Sequence, residues 1–130
     1  MFAGVVLGSP PVGRAFVLAL QGELGAGKTT FAQGFAKGLG VRERVVSPTF
    51  IISRRSVIPK RSRFKFFFHI DCYRLQSPGK ISGIGWNDIM SDPENIVLIE
   101  WPERVKKLLP KGTKTIRFSH AGRDKRKISL

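Results

Sequence analysis

An apolar run at residues 15–20 is followed by Gly22-Glu23-Leu24-Gly25-Ala26-Gly27-Lys28-Thr29, and an amphipathic pattern begins at Lys28. That order of strand, glycine-rich turn and helix leaves few topologies open. A continuously apolar strand must be covered on both faces, and the helix must pack back onto it. The octet fits GxxxxGK[ST], which in a strand–loop–helix setting is a phosphate-binding loop. Glycines at 22, 25 and 27 let the backbone curl so that successive N–H groups point at an anion, and the start of the next helix adds its partial positive charge. Lys28 would reach the β- and γ-phosphates and the Thr29 hydroxyl would hold a magnesium ion. The alternative is a glycine-rich turn ahead of an ordinary helix; the strand before it and the helix after it favour the phosphate loop.

The helix is expected over residues 28–39, where Phe31, Phe35 and Leu39 fall on one stripe with Ala32 and Ala36 beside them and Gly40 as the stop. A strand is expected at 49–53, after Ser47-Pro48, then a basic turn at 54–63 carrying Arg54, Arg55, Lys60, Arg61 and Arg63. A second strand at 64–71 would put Phe64, Phe66, Phe68 and Ile70 on one face, and the two strands read as an inserted antiparallel hairpin. Residues 76–95 are rich in Gly, Ser, Pro, Asn and Asp and read as loop, with one helical turn near 86–90. Residues 96–99 form another continuously apolar strand that ends in Glu100, and Pro102 opens a short helix that Pro110 stops. A last strand pair is expected at 114–119 and 126–130, around Gly122-Arg123. The fold class is therefore α/β: a P-loop NTPase-like mixed sheet with an inserted antiparallel hairpin and flanking helices. Residues 1–130 read as one domain, with 1–14 irregular because Gly4, Gly8, Pro10, Pro11 and Gly13 interrupt them.

Twenty-three Lys and Arg against nine Asp and Glu give a formal net charge of +14. That excess suits a polyanionic partner such as RNA, or a solvated basic surface with no specific partner; charge alone does not separate them. A lone cysteine, Cys72, excludes an internal disulfide and fits a reducing compartment. No apolar run approaches the ~20 residues that span a bilayer, so no membrane role and a cytoplasmic location are expected.

A nucleotide site also needs carboxylates, and those belong at the C-terminal ends of buried parallel strands. Asp71 and Glu100 hold such positions. Glu100, after four apolar residues, reads as the metal ligand, and Asp71 as the group that orients or deprotonates the attacking water. Thr49 lies in a loop between helix and hairpin, where a switch loop could touch magnesium or the γ-phosphate; as a residue it is equally an ordinary strand-edge threonine. Trp101, beside Glu100, packs over the site or into the core. His69 reads as structural and Cys72 as a packed thiol.

Together, Gly22-Glu23-Leu24-Gly25-Ala26-Gly27-Lys28-Thr29-Thr30, Ser47-Pro48-Thr49-Phe50, His69-Ile70-Asp71-Cys72-Tyr73-Arg74-Leu75, Leu98-Ile99-Glu100-Trp101-Pro102-Glu103 and Gly122-Arg123 resemble the TsaE (YjeE) family. That family is the ATPase component of the bacterial machinery for threonylcarbamoyladenosine modification of tRNA. The resemblance implies ATP and Mg2+ as cofactors. It places Gly25, Ala26, Gly27, Lys28, Thr29 and Thr30 around the phosphates, and Thr29 and Glu100 on magnesium. It makes Asp71 the residue needed for hydrolysis and Thr49 the switch threonine, with Arg123 and Glu103 near the nucleotide. It also implies a weak ATPase that works with TsaD-type and TsaB-type partners and whose hydrolysis supports turnover. The family's helix before the first strand has no counterpart in residues 1–14, and its acidic helix after the Tyr-Arg-Leu block is replaced by Ser77-Pro78-Gly79-Lys80-Ile81-Ser82-Gly83.

Other readings are a small-molecule kinase or GTPase, and a non-hydrolysing RNA-binding scaffold that keeps ATP as a structural ligand. The chain has no Asn-Lys-x-Asp motif for guanine, and the basic turn makes a poor kinase lid. A scaffold could lose Asp71 and Glu100, and this chain retains both.

Overall fold

The computed structural model describes residues 13–23, 27–41, 53–59, 63–75, 78–120 and 126–129. Six strands form one sheet: β1 (Phe16–Gly22), β2 (Ser53–Val57), β3 (Phe66–Asp71), β4 (Asn95–Glu100), β5 (Lys114–His120) and β6 (Arg126–Ser129), in the order β2-β3-β4-β1-β5-β6. The pairs β3–β4, β4–β1 and β1–β5 are parallel. The outer pairs β2–β3 and β5–β6 are antiparallel. The mixed sheet, the inserted hairpin and the closing strand pair are as the sequence predicts.

Every residue of β4 is buried, as are the first five of β1, because helices cover both faces of the sheet. On one face Phe16, Leu18 and Leu20 of β1, Ile96 and Leu98 of β4 and Phe67 of β3 meet Phe31, Ala32, Phe35 and Ala36 of helix α1 (Lys28–Gly38). On the other, Val17, Ile70, Val97 and Ile99 meet Trp86, Ile89 and Met90 of helix α2 (Trp86–Ser91) and Val105 of a 3-10 segment, Pro102–Leu108. Alternate residues of each central strand thus serve opposite cores, the period-two consequence of the pleat.

Some boundaries differ from expectation. Of the strand expected at 49–53 only Ser53 lies within the described residues, and β2 continues to Val57, so Arg54 and Arg55 are strand residues rather than turn residues. An edge strand accepts such charges because one flank and part of its surface meet water. The Arg55 guanidinium lies 4.9 Å from the Phe66 ring centre on β3. The single-face assignment of Phe64, Phe66, Phe68 and Ile70 is also corrected. Phe64 precedes β3 and joins the α1-side core, whereas Ile70 and Phe68 serve the opposite one. Phe67, between them in sequence, is fully buried and 6.0 Å from Phe35. Both faces of β3 meet core residues, Phe67 on the α1 side and Ile70 on the opposite side, so apolar residues recur on both.

The stretch 76–95 holds more structure than its composition suggests. A 3-10 helix, Pro78–Ile84, precedes α2, and buried Ile81 anchors it to the core. The helix expected after Pro102 is a 3-10 segment broken at Val105.

Gly22 has a different reason from the one its motif suggests. It ends β1 opposite Phe118 of β5, and a Cβ there would stand 2.6 Å from the Phe118 carbonyl oxygen. The close strand approach, rather than an anion, requires glycine at this position. Gly22→Ala should therefore prise β1 from β5 and destabilise the protein by about 1–3 kcal/mol, the usual cost of forced overpacking. A urea denaturation curve measures it; an unchanged midpoint would show that β5 can give way.

Candidate functional site

The parallel register brings three strand ends to one level. Leu20 of β1 pairs with Glu100 of β4, which pairs with Asp71 of β3. Paired residues in a sheet point to the same face, and Leu20 belongs to the α1-side core, so both carboxylates stand on the α1 side. That is also where β1 runs toward α1. Gly27 caps α1 in the left-handed region at φ 98°, with no side-chain cap and no acidic residue in the first turn. The first N–H groups of the helix thus face the strand ends with no carboxylate of their own.

Lys28, the first residue of α1, is only 5% exposed. Its Nζ donates to the Gly22 carbonyl at 2.6 Å and sits 3.6 Å from the centre of the Trp101 ring. Burial pushes the ammonium below its ordinary pKa, and the carboxylates of Glu100, Glu103 and Asp71 pull it back. Desolvation wins that contest, so neighbouring charge only partly compensates the buried cation. One ammonium facing three carboxylates leaves the cluster net negative, an arrangement that suits a divalent cation.

Glu100 is 3% exposed. Its Oε2 accepts from His69 Nε2 at 2.5 Å. Asp71 is half-buried, and its Oδ1 accepts the Tyr73 N–H at 2.9 Å. Thr29 is half-buried in the first turn of α1, Thr30 is exposed beside it, and Glu103 is exposed at the start of the 3-10 segment. A hydroxyl and a carboxylate are hard oxygen donors, which fit Mg2+ completing its shell from phosphate oxygens and water. Thr29 and Glu100 are the side chains that would hold it. Among the described residues no three or more His, Cys, Asp or Glu side chains group to hold a metal by themselves. Gly25, Ala26, Thr49 and Arg123 lie outside the described residues.

Sequence reasoning undervalued two residues. Read as structural, His69 is bonded to the candidate metal ligand. The pointer was its spacing: His69 and Asp71 are two apart on a strand, hence on one face. The other is Trp101, the only non-glycine residue at positive φ (60°) among those described. Such a conformation costs on the order of 1 kcal/mol or more and tends to mark functional sites. Trp101 roofs Lys28, and the Tyr73 ring, exposed, lies 4.9 Å from it. Nothing in the local sequence announces that backbone conformation.

Cys72 is fully buried behind the site, its N–H donating to the Glu100 carbonyl at 3.0 Å. Burial first, then the Asp71 and Glu103 charges, push its thiol up to about 12. It is a packed thiol, as expected.

Comparison with known proteins follows the same line. The family model described as threonylcarbamoyl adenosine biosynthesis protein TsaE matches residues 5–128. The tRNA threonylcarbamoyladenosine biosynthesis protein TsaE of Bacillus subtilis is 37% identical over 117 residues, covering 88% of this chain and 68% of that protein. Its namesake in Treponema pallidum is 37% identical over 114 residues, covering 88% and 80%. A crystal structure of Bacillus subtilis YdiB superposes with a TM-score of 0.64 at 31% identity, covering 88% of this chain and 66% of that one.

The thiol gives a direct check on the packing behind the carboxylates. Iodoacetamide at pH 8 should leave Cys72 of the native protein unmodified, because a thiol held near 12 is about one part in ten thousand thiolate there. Denatured protein should be alkylated fully. Fast native labelling, followed by mass spectrometry, would show that the strand ends open.

Proposed function

Because this chain belongs to the TsaE family, we propose that it binds and slowly hydrolyses ATP with magnesium in the cytoplasm, as the nucleotide-driven subunit of a tRNA threonylcarbamoyladenosine-modifying complex. Its partners in that role are proteins of the TsaD and TsaB types, and the hydrolysis supports their turnover. The observation that carries the reading is the convergence of Lys28, at the start of α1, with Asp71 and Glu100, which the register of β3 and β4 sets side by side at the strand ends.

The chemistry follows from these side chains. The β- and γ-phosphate oxygens give Lys28 the charge partners it only partly has among Glu100, Glu103 and Asp71, so its ammonium turns from the Gly22 carbonyl to the nucleotide. A bound metal would be held by Thr29 and Glu100 and would supply positive charge against the charge that develops on the transferred phosphoryl group. Asp71 accepts a hydrogen bond from the attacking water and orients it. A bond forms from that water to the γ-phosphorus, the bond to the β–γ bridging oxygen breaks with its electron pair leaving on ADP, and the water's proton passes to Asp71 or the phosphate. The pair of carboxylates supports hydrolysis over the scaffold reading.

Strand β2 supports the tRNA part of the proposal. Arg54 and Arg55 are exposed on the sheet edge, with Arg63 exposed after the turn. Together with Lys60 and Arg61 they form the basic stretch of a chain carrying +14.

Isothermal titration checks the nucleotide site. Lys28→Ala should abolish ATP binding, and Glu100→Ala should weaken only the magnesium-dependent part; tight ATP binding by the Lys28 variant would refute the loop assignment. For the basic edge, tRNA binding should fall steeply as salt rises, with a shallower slope for the double variant Arg54→Ala, Arg55→Ala. Binding that ignores salt would remove the direct tRNA contact.

A further inference from the structure

His69 lies in the middle of β3, 1% exposed, beneath the two carboxylates. Its register partner is Leu98, and its Nε2 reaches diagonally to Glu100 Oε2 on the next strand. An ionised carboxylate oxygen can only accept, so Nε2 carries the hydrogen. In the neutral ring Nδ1 is then a bare acceptor, and Nδ1 has no hydrogen-bond partner. That pattern selects one tautomer: a hydrogen on Nδ1 would be a buried donor with nothing to receive it. The Phe67 ring lies alongside, 6.5 Å away between ring centres at an interplanar angle of 28°.

From this arrangement we propose that His69 is a positioning residue for the metal: it clamps Glu100 through Oε2 and leaves the carboxylate's other oxygen to the ion. The proposal rests on Glu100 being a magnesium ligand, as the proposed function has it. A buried glutamate has three side-chain torsions, and a carboxylate free to rotate would hold its ligating oxygen poorly. A fixed donor on the neighbouring strand removes that freedom before the ion arrives. The strand pairing sets the donor's place, so the clamp is as rigid as the sheet. A core histidine that merely filled space would need no donor aimed at Glu100, and a phenylalanine would suit the surrounding apolar layer better.

The length of the side chain at this position supplies the test. In His69→Gln the amide nitrogen extends to about the level of Nε2 and can still donate to Glu100. In His69→Asn it stops near the level of Nδ1 and cannot. Both are polar and similar in cost to the core, so they separate the donor from packing. The quantity to measure is the ratio of ATP dissociation constants in EDTA and in Mg2+, by isothermal titration of the full chain, with thermal unfolding followed alongside. His69→Asn should lower that ratio by about tenfold or more, the usual effect of losing the group that orients a metal ligand, with the EDTA value within about twofold of the unsubstituted protein. His69→Gln should keep most of the ratio. A second readout needs no nucleotide: long-range proton–nitrogen correlation spectra of the free protein should show hydrogen on Nε2. Equal ratios in both variants, whether kept or lost, a retained ratio in His69→Asn alone, or an Nε2 without hydrogen would overturn the assignment. If the unsubstituted chain itself binds ATP with no magnesium dependence, the proposed function fails, and the role of His69 with it. Equal variants beside a magnesium-dependent parent would remove His69 alone.

Discussion

Parallel strands β1 and β4 run together from Phe16 and Ile96 to Leu20 and Glu100, and β4 has no exposed residue along its length. Two strands covered on both faces have no lateral surface left for chemistry. Polar function is therefore forced to where the ladder stops, and in a parallel sheet the ladders of β1, β3 and β4 stop at the same edge. The positions of Asp71 and Glu100 follow from that constraint. So does the position of Lys28, because α1 must turn back over the same face to cover Leu18 and Leu20.

The polar cluster at that edge is costly to the fold. Lys28 is buried with incomplete charge compensation, and Trp101 holds a backbone conformation that ordinary residues avoid. The two costs are linked, since the Trp101 ring covers the Lys28 ammonium. An indole face is a weaker partner for a cation than phosphate oxygens would be. The free protein thus keeps its central cation in an environment that polyanion binding improves. Natural sequences violate local preference at the places where they act, and here the violations fall on one site.

Much of this was legible from residue order. Continuous apolar runs marked β1 and β4, the glycine-lysine-threonine loop marked the start of α1, and strand-terminal acids marked the candidate ligands. What escaped depended on tertiary pairing. Arg54 and Arg55 resembled a turn because charge on a strand is tolerated only at an edge, and nothing local says which strand is the edge. Phe64 resembled a member of the alternating stripe because the strand start, Phe66, is set by pairing with Asn95 rather than by composition. The 3-10 helix at Pro78–Ile84 was hidden by Gly and Ser, which read as loop until Ile81 is seen to reach the core. The carboxylates could be found singly, but His69 could be tied to Glu100 only once β3 and β4 were known to be neighbours.

That same pairing joins the two proposed activities. Arg54 of β2 is the register partner of His69, and His69 is one diagonal step from Glu100. The exposed basic edge is thus two strand spacings, about 10 Å, from the proposed metal ligand, through hydrogen-bonded backbone rather than a flexible loop. β2 is an edge strand and is paired on one flank only, to β3. Contact at Arg54 and Arg55 would bear on β2, which is paired to the strand that carries His69, and binding at the proposed Glu100 site would bear on that strand from its other flank. Reciprocity then requires that if binding at one place alters the other, the effect runs equally in both directions.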